Sequence, residues 1–182
     1  LPLHRNAPLD IVLVRIPGWA EGASVAMNGR PVDAVRAGSY VRCAVGDGGE
    51  TEIVVRVPMR PRLYRAHYKV EEARNQAAVA RGPLVYCLES LDVPEGRRIW
   101  DVLLPVEATF RERRMSELAG GLIALETQAL CMAEGSESRR LYAPLGDMPL
   151  RPCRIRLIPY YAWANRGISE MSVWLPLAYG DY

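Results

Sequence analysis

The chain has 182 residues, 49% of them apolar, and a formal net charge of +2. That size gives one large or two small domains enough apolar surface for a core without staples. Of the 23 basic residues 22 are arginine, and the 21 acids are interspersed with them. No basic run is longer than a pair such as Arg113-Arg114 or Arg139-Arg140. The charge footprint of a nucleic-acid binder is therefore missing. No run of 18 apolar residues exists, so no membrane span is expected. The first residue, Leu1, is not an initiator methionine, and a natural start upstream of it is expected.

In chain order, Ile11 to Ile16 is rich in β-branched residues and reads as a strand that Pro17-Gly18 ends. Ala23 to Met27 reads as a second strand. Asn28-Gly29 supplies the two positive φ values of a type I′ hairpin turn, with Val32 to Val35 as the return strand. Ser39 to Val45 follows, stopped by Gly46-Asp47-Gly48-Gly49. In residues 50–57, Thr51, Ile53, Val55 and Val57 share one face, and Glu52 and Arg56 share the other. Pro58 and Pro61 end that strand. Gln76 to Arg81 and Leu84 to Glu89 are strands broken by Gly82-Pro83.

Residues 90–100 read as a long loop between two modules. Val102 to Phe110 and Leu122 to Met132 are strand candidates, although Leu, Ala and Glu also favour helix over 115–133. Residues 133–152 are polar and Pro-rich, hence loop. Arg154 to Ile158 alternates as a half-buried strand. Met171 to Leu175 closes the fold, with Trp174 placed in its core. The frequency of Pro and Gly between short apolar runs predicts an all-β fold of two small antiparallel β-sandwiches, jelly-roll-like, in tandem. Their expected bounds are residues 1–92 and 100–182, with 93–99 as linker.

The four cysteines, Cys43, Cys87, Cys131 and Cys153, show neither CxxC nor adjacent spacing, so they give no zinc pattern. They read as buried, reduced thiols of a cytoplasmic protein. His4 and His67 are the only histidines, and nothing in their surroundings marks either as a base. Glu89 and Glu126 could supply the carboxylate pair of a glycosidase, but any strand protein offers such pairs, and solvated or ion-paired acids are the simpler reading.

Three segments carry a resemblance. They are Arg15-Ile16-Pro17-Gly18-Trp19-Ala20 followed by the Asn28-Gly29 hairpin; Val79-Ala80-Arg81-Gly82-Pro83-Leu84-Val85-Tyr86-Cys87-Leu88-Glu89; and Ile158-Pro159-Tyr160-Tyr161-Ala162-Trp163-Ala164-Asn165-Arg166-Gly167, with Met171 and Val173-Trp174 after it. In this order and spacing they resemble the region after the barrel in glycoside hydrolase family 127, the β-L-arabinofuranosidase-like proteins. The resemblance implies an (α/α)₆ catalytic barrel followed by two β-sandwiches, of which this chain holds most, with further strands ahead of Leu1. It implies a retaining hydrolase whose nucleophile is a zinc-bound cysteine thiolate. The ligands belong to the barrel and include an adjacent Cys-Cys pair, which this sequence lacks. No catalytic residue, metal ligand or cofactor is therefore expected here, and zinc is expected in the catalytic domain. One departure stands out: the family's Arg-x-Trp strand ahead of a Gly-Asp turn is replaced by Val41-Arg42-Cys43-Ala44-Val45-Gly46-Asp47, without the tryptophan.

The residues singled out for contact are Trp163, Asn165, Arg166, Tyr160, Arg81 and Trp100; Trp19 is a further exposed-ring candidate. Aromatic rings beside polar groups suit sugar stacking, and equally suit core or interface packing. Gly167 is expected at positive φ, Asn165 to bond back to its backbone, and the Arg166 fork to pin a carboxylate or several carbonyls. Arg81 at its Gly-Pro corner has the same two readings, brace or latch. Three functions follow: an accessory region that stabilises the missing barrel, a carbohydrate-binding module, or a homo-oligomerising module that pairs through free sheet margins.

Overall fold

The structure, a computed structural model, describes residues 11–46, 50–118, 120–132, 142 and 149–180. The fold is all-β, as the residue pattern predicts, and the chain divides into two compact units, Leu1–Arg60 and Pro61–Tyr182.

In the first unit β1 (Ile11–Arg15) pairs antiparallel with β4 (Tyr40–Ala44). A second sheet has the order β3 (Arg30–Pro31), β2 (Ser24–Met27), β5 (Ile53–Arg56). One apolar cluster serves both: Ile16, Ala20, Val25, Val41 and Cys43 are buried, with Trp19 packed against them. Val41 and Cys43 are the inward positions of β4, so the strand packs without the family's tryptophan. The Asn28-Gly29 turn has φ +48° and +76°. Asn28 also ties the hairpin to the approach of β5: its N–H donates to the Glu52 carbonyl, and its Oδ1 accepts the Glu52 N–H, each at 2.9 Å.

The second unit contains β6 (Pro61–Arg65), β7 (Gln76–Arg81), β8 (Leu84–Glu89), β9 (Val102–Pro105), β10 (Arg111–Met115), β11 (Leu122–Met132), β12 (Leu150–Pro159), β13 (Met171–Ser172) and β14 (Trp174–Ala178). The hydrogen-bonded path runs β8, β12, β11, β9, β14, β7 and returns to β8, so the sheet closes on itself. All of these pairings are antiparallel except β9 with β14. Every strand of the ring sends a side chain into one core: Val79, Tyr86, Leu88, Val102, Leu104, Leu125, Ala129, Ile155, Leu157 and Leu175 are buried together. Each large aliphatic side chain so buried contributes roughly 1.5–3 kcal/mol before chain entropy is counted. On the other side of β8, β11 and β12, a smaller cluster joins Cys87, Met115, Leu122, Ala124, Ile158 and Ala162.

Several expectations are corrected. The linker placed at 93–99 falls inside the second unit, because β7 and β8 pair with β14 and β12 across that stretch. Ile99 is buried there and anchors it to the core. One expectation holds: the segment 122–132 is strand throughout, and the helical alternative falls away. β6 and β10 are strands to which the residue pattern assigns no element. Trp174 is half-buried, and its neighbour Leu175 takes the core position, because successive strand residues face opposite ways. Cys131 and Cys153 form a disulfide, while Cys43 and Cys87 are free and buried. His4 and most of the loop expected at 133–152 lie outside the described residues.

Candidate functional site

β8 is apolar until its last residue. Tyr86 and Leu88 enter the main core; Cys87 and Glu89 face the other way. Glu89 is wholly buried (0% exposed). An ionised carboxylate in that position demands several donors, and the turn after β12 supplies them. The Ala164 N–H donates to Oε1 at 2.9 Å and the Ser169 hydroxyl to the same oxygen at 2.8 Å. Arg166 Nε donates to Oε2 at 3.1 Å, joined by Nη2 of the same guanidinium. Ala164 reaches this position at φ +63°, a left-handed conformation rare for alanine. Gly167 has φ +119°, the positive value expected of it.

The Arg166 fork spans two acids. Nη1 donates to Asp92 Oδ1 at 3.0 Å and Nη2 to Oδ2. Arg156 then lies 3.6 Å from Asp92 and 3.5 Å from Glu126, and Arg113 closes on Glu126 at 2.9 Å. Three carboxylates thus alternate with three guanidiniums. Within this string Arg156 Nε is buried without a partner. A cavity of about 250 Å³ beside it is walled by Asp92, Glu126 and Arg156, whose charges are already engaged with one another.

Burial alone would push the Glu89 carboxyl up. The Ala164, Arg166 and Ser169 hydrogen bonds and the Arg166 charge outweigh it and hold Glu89 below its ordinary value. Glu126 is also lowered, chiefly by its hydrogen bond to Arg113. The Asp92 hydrogen bond, opposed by burial and aided by Glu89, raises Arg166. Burial, with the nearby Glu89 and Asp92 charges, pushes the Cys87 thiol up to about 12. Both glutamates are therefore ionised and Cys87 is a thiol at neutral pH. No three His, Cys, Asp or Glu side chains converge as metal ligands among the described residues.

The singled-out residues separate into three places. Tyr160, Trp163, Asn165 and Arg166 share the turn after β12. The Tyr160 and Trp163 rings stack at 6.2 Å, 25° from parallel, and are 47% and 40% exposed. Trp163 Nε1 donates to the Ser169 carbonyl at 3.4 Å. Asn165 is exposed, and it is its backbone N–H that bonds back, to the Ala162 carbonyl. Arg81 does not enter the ionic string: it makes a two-pronged pair with Glu112, 2.8 Å for each prong, tying β7 to β10. Trp100 stands apart in the turn before β9, 59% exposed. Trp19 packs in the first unit.

Asp92, Arg113, Arg156 and Ser169 were not anticipated. Their partners lie far away in sequence, and the one signal was an acid ending the otherwise apolar strand Leu84–Glu89.

Comparison with known proteins gives a consistent picture. Residues 61–176 match the glycoside hydrolase family 127 C-terminal domain, in close agreement with the start of the second unit. The chain is 34% identical over 166 residues to a non-reducing end β-L-arabinofuranosidase of Bifidobacterium longum, covering 88% of this chain and 25% of that protein. A solved glycoside hydrolase aligns at 37% identity with a TM-score of 0.86, over 98% of this chain and 29% of the other. A family 127 β-L-arabinofuranosidase from Geobacillus stearothermophilus T6 aligns at 33% identity and a TM-score of 0.80, over 92% and 26%. The chain thus spans between a quarter and a third of these relatives, and by sequence and structure it belongs to glycoside hydrolase family 127, whose C-terminal domain it carries.

Proposed function

We propose that this chain is the non-catalytic β region of a glycoside hydrolase related to the β-L-arabinofuranosidases, and that it stabilises and orients an (α/α)₆ catalytic barrel. The observation that carries this reading is the self-satisfied ionic string. A glycosidase acid must hold its proton at working pH, and Glu89 and Glu126 are both held ionised by arginines. Cys87 lacks the thiolate character of a nucleophile. The zinc chemistry implied by the family is assigned to the barrel.

The same string ties the turn after β12 to Glu89 and Asp92, and that turn presents apolar surface outward. Ile168 is fully exposed, Tyr161 58% exposed, and Tyr160 and Trp163 stand beside them. In this reading they form the latch that the barrel covers. Expressed alone, the chain is expected to release no sugar from an aryl β-L-arabinofuranoside. Deleting the region from the longer protein is expected to lower that protein's melting temperature and soluble yield. Turnover by the isolated chain, or an unchanged melting temperature after deletion, overturns the proposal.

The stacked, half-exposed Tyr160–Trp163 pair supports a second reading, a sugar-binding platform. It predicts saturable binding of arabinan that Trp163→Ala removes. A flat titration of the whole enzyme's β region eliminates it. A cytoplasmic home suits the free buried thiols Cys43 and Cys87; the remaining two cysteines speak for a different one.

A further inference from the structure

Cys131 lies at the end of β11 and Cys153 near the start of β12. The register sets Ala129 opposite Cys153 and Cys131 opposite Arg151, so the two cysteines are diagonal neighbours on one ladder. Both point to the same side. Cys131 is buried in the main core (4% exposed), and Cys153 packs against that core. Their Cα atoms are 6.0 Å apart, within the span a disulfide bridges without moving backbone, and the two Sγ atoms are bonded.

We infer that the Cys131–Cys153 bond is a permanent staple formed in an oxidising compartment, and that the protein therefore works outside the reducing cytoplasm. The placement separates this from a redox sensor. A sensor cysteine is accessible and carries thiolate character; here one partner is sealed in the core and the other leans on it. The bond joins strands already paired over eight register positions, from Leu125↔Leu157 to Met132↔Leu150, so opening it would release no alternative arrangement. Nor is a third thiol placed to compete. Cys43 is buried in the cluster of the first unit, and Cys87 in the smaller cluster of the second, which excludes the Cys131 core. A single unambiguous pairing of this kind is what structural disulfides of exported proteins have, and it is rare where glutathione keeps thiols reduced.

Closing the bond removes two protons and two electrons from the Cys131 and Cys153 thiols. A disulfide carrier of the thiol–disulfide exchange class accepts both and leaves as its dithiol. Once closed, the bond is screened from reductant by the core.

The test is thiol trapping on the full-length protein in its source cells. Cells are quenched in acid, free thiols are alkylated under denaturing conditions without reductant, and the peptides are read by mass spectrometry. The expected result is a bridged peptide containing Cys131 and Cys153, alkyl label on Cys43 and Cys87, and recovery of the protein in the non-cytoplasmic fraction. Label on all four cysteines overturns the inference, as does a bridged protein confined to the cytoplasmic fraction. A second measurement uses export itself: routing the wild type to an oxidising compartment is expected to raise its soluble yield, and a C131A/C153A variant is expected to gain nothing. Equal gain for both also overturns it.

Discussion

The strands before Arg60 and those after it solve the same problem differently. In the first unit the pairings are made by short sheets around one apolar cluster, and its described polar contacts, such as Asn28 with Glu52, are at turns. In the second unit the partners are remote. Glu89 meets Ala164, Arg166 and Ser169 between 75 and 80 residues away, and β11 and β12 are joined covalently. The difference teaches that the larger unit is locked by a few specific groups, any of which can be removed singly. The smaller one depends on volume and turn geometry.

The largest break is expected from Arg166→Ala. It leaves Glu89 buried at 0% and Asp92 at 3% side-chain exposure without their fork. Stripping one partner from a buried pair costs about 3–5 kcal/mol, so urea unfolding of the variant should show that loss; an effect below about 1 kcal/mol would mean the string is ornamental. Next is the double variant C131S/C153S. Opening a loop of 22-residue separation is expected to cost about 3 kcal/mol, read as a fall in melting temperature.

Acid sharpens the comparison further. Glu89 is held below its ordinary value of 4.5 in the folded state. Its contribution is therefore complete above that value and is lost as pH falls through the lower folded one. The hydrogen-exchange protection of residues 84–92, relative to the intrinsic rate at each pH, should fall below pH 4.5 in the wild type, and much less so in Glu89→Gln. In the first unit, Asn28→Ala removes an acceptor for the Glu52 N–H and puts alanine at φ +48°; about 1–2 kcal/mol is expected. The smallest change has the opposite sign. Ala164→Gly relieves a φ of +63° and should stabilise by about 0.5 kcal/mol, since part of the relief is offset by the freer unfolded chain.

What the sequence made legible follows from locality. Alternation at Thr51, Ile53, Val55 and Val57 and the Asn28-Gly29 dipeptide are decided within a few residues, and the strand and the hairpin turn are present, with the return strand at Arg30–Pro31 instead of Val32–Val35. Arg166 is legible as a fork for a carboxylate or several carbonyls, but not for which acids, because no spacing rule links 166 to 89 and 92. The strands Pro61–Arg65 and Arg111–Met115 escaped because each pairs on one side only. Arginines crowd them, and apolar periodicity is weak. The boundary at 60/61 escaped for a related reason. Residues 76–89 look like the end of a local run of strands, yet beyond 61–65 and each other they pair with residues 157–159 and 171–176, and only long-range pairing reveals it. The disulfide was missed because cysteines 22 apart with no motif resemble any two buried thiols.

The closed ring also sets an order of events during synthesis. Trp174–Ala178 sits between β7 and β9, bonding to both, and is the last strand of the ring to leave the ribosome. Until it does, the seat of Leu175 in the core is vacant, and the pairing margins of β7 and β9 that it covers have no partner. Folding dominated by such distant contacts is slow, and the incomplete sheet is exposed to neighbouring chains meanwhile. Residues 61–178 therefore mature in one step once β14 has emerged, rather than strand by strand, and a truncation that stops short of Ala178 is expected to yield insoluble chain rather than a smaller domain.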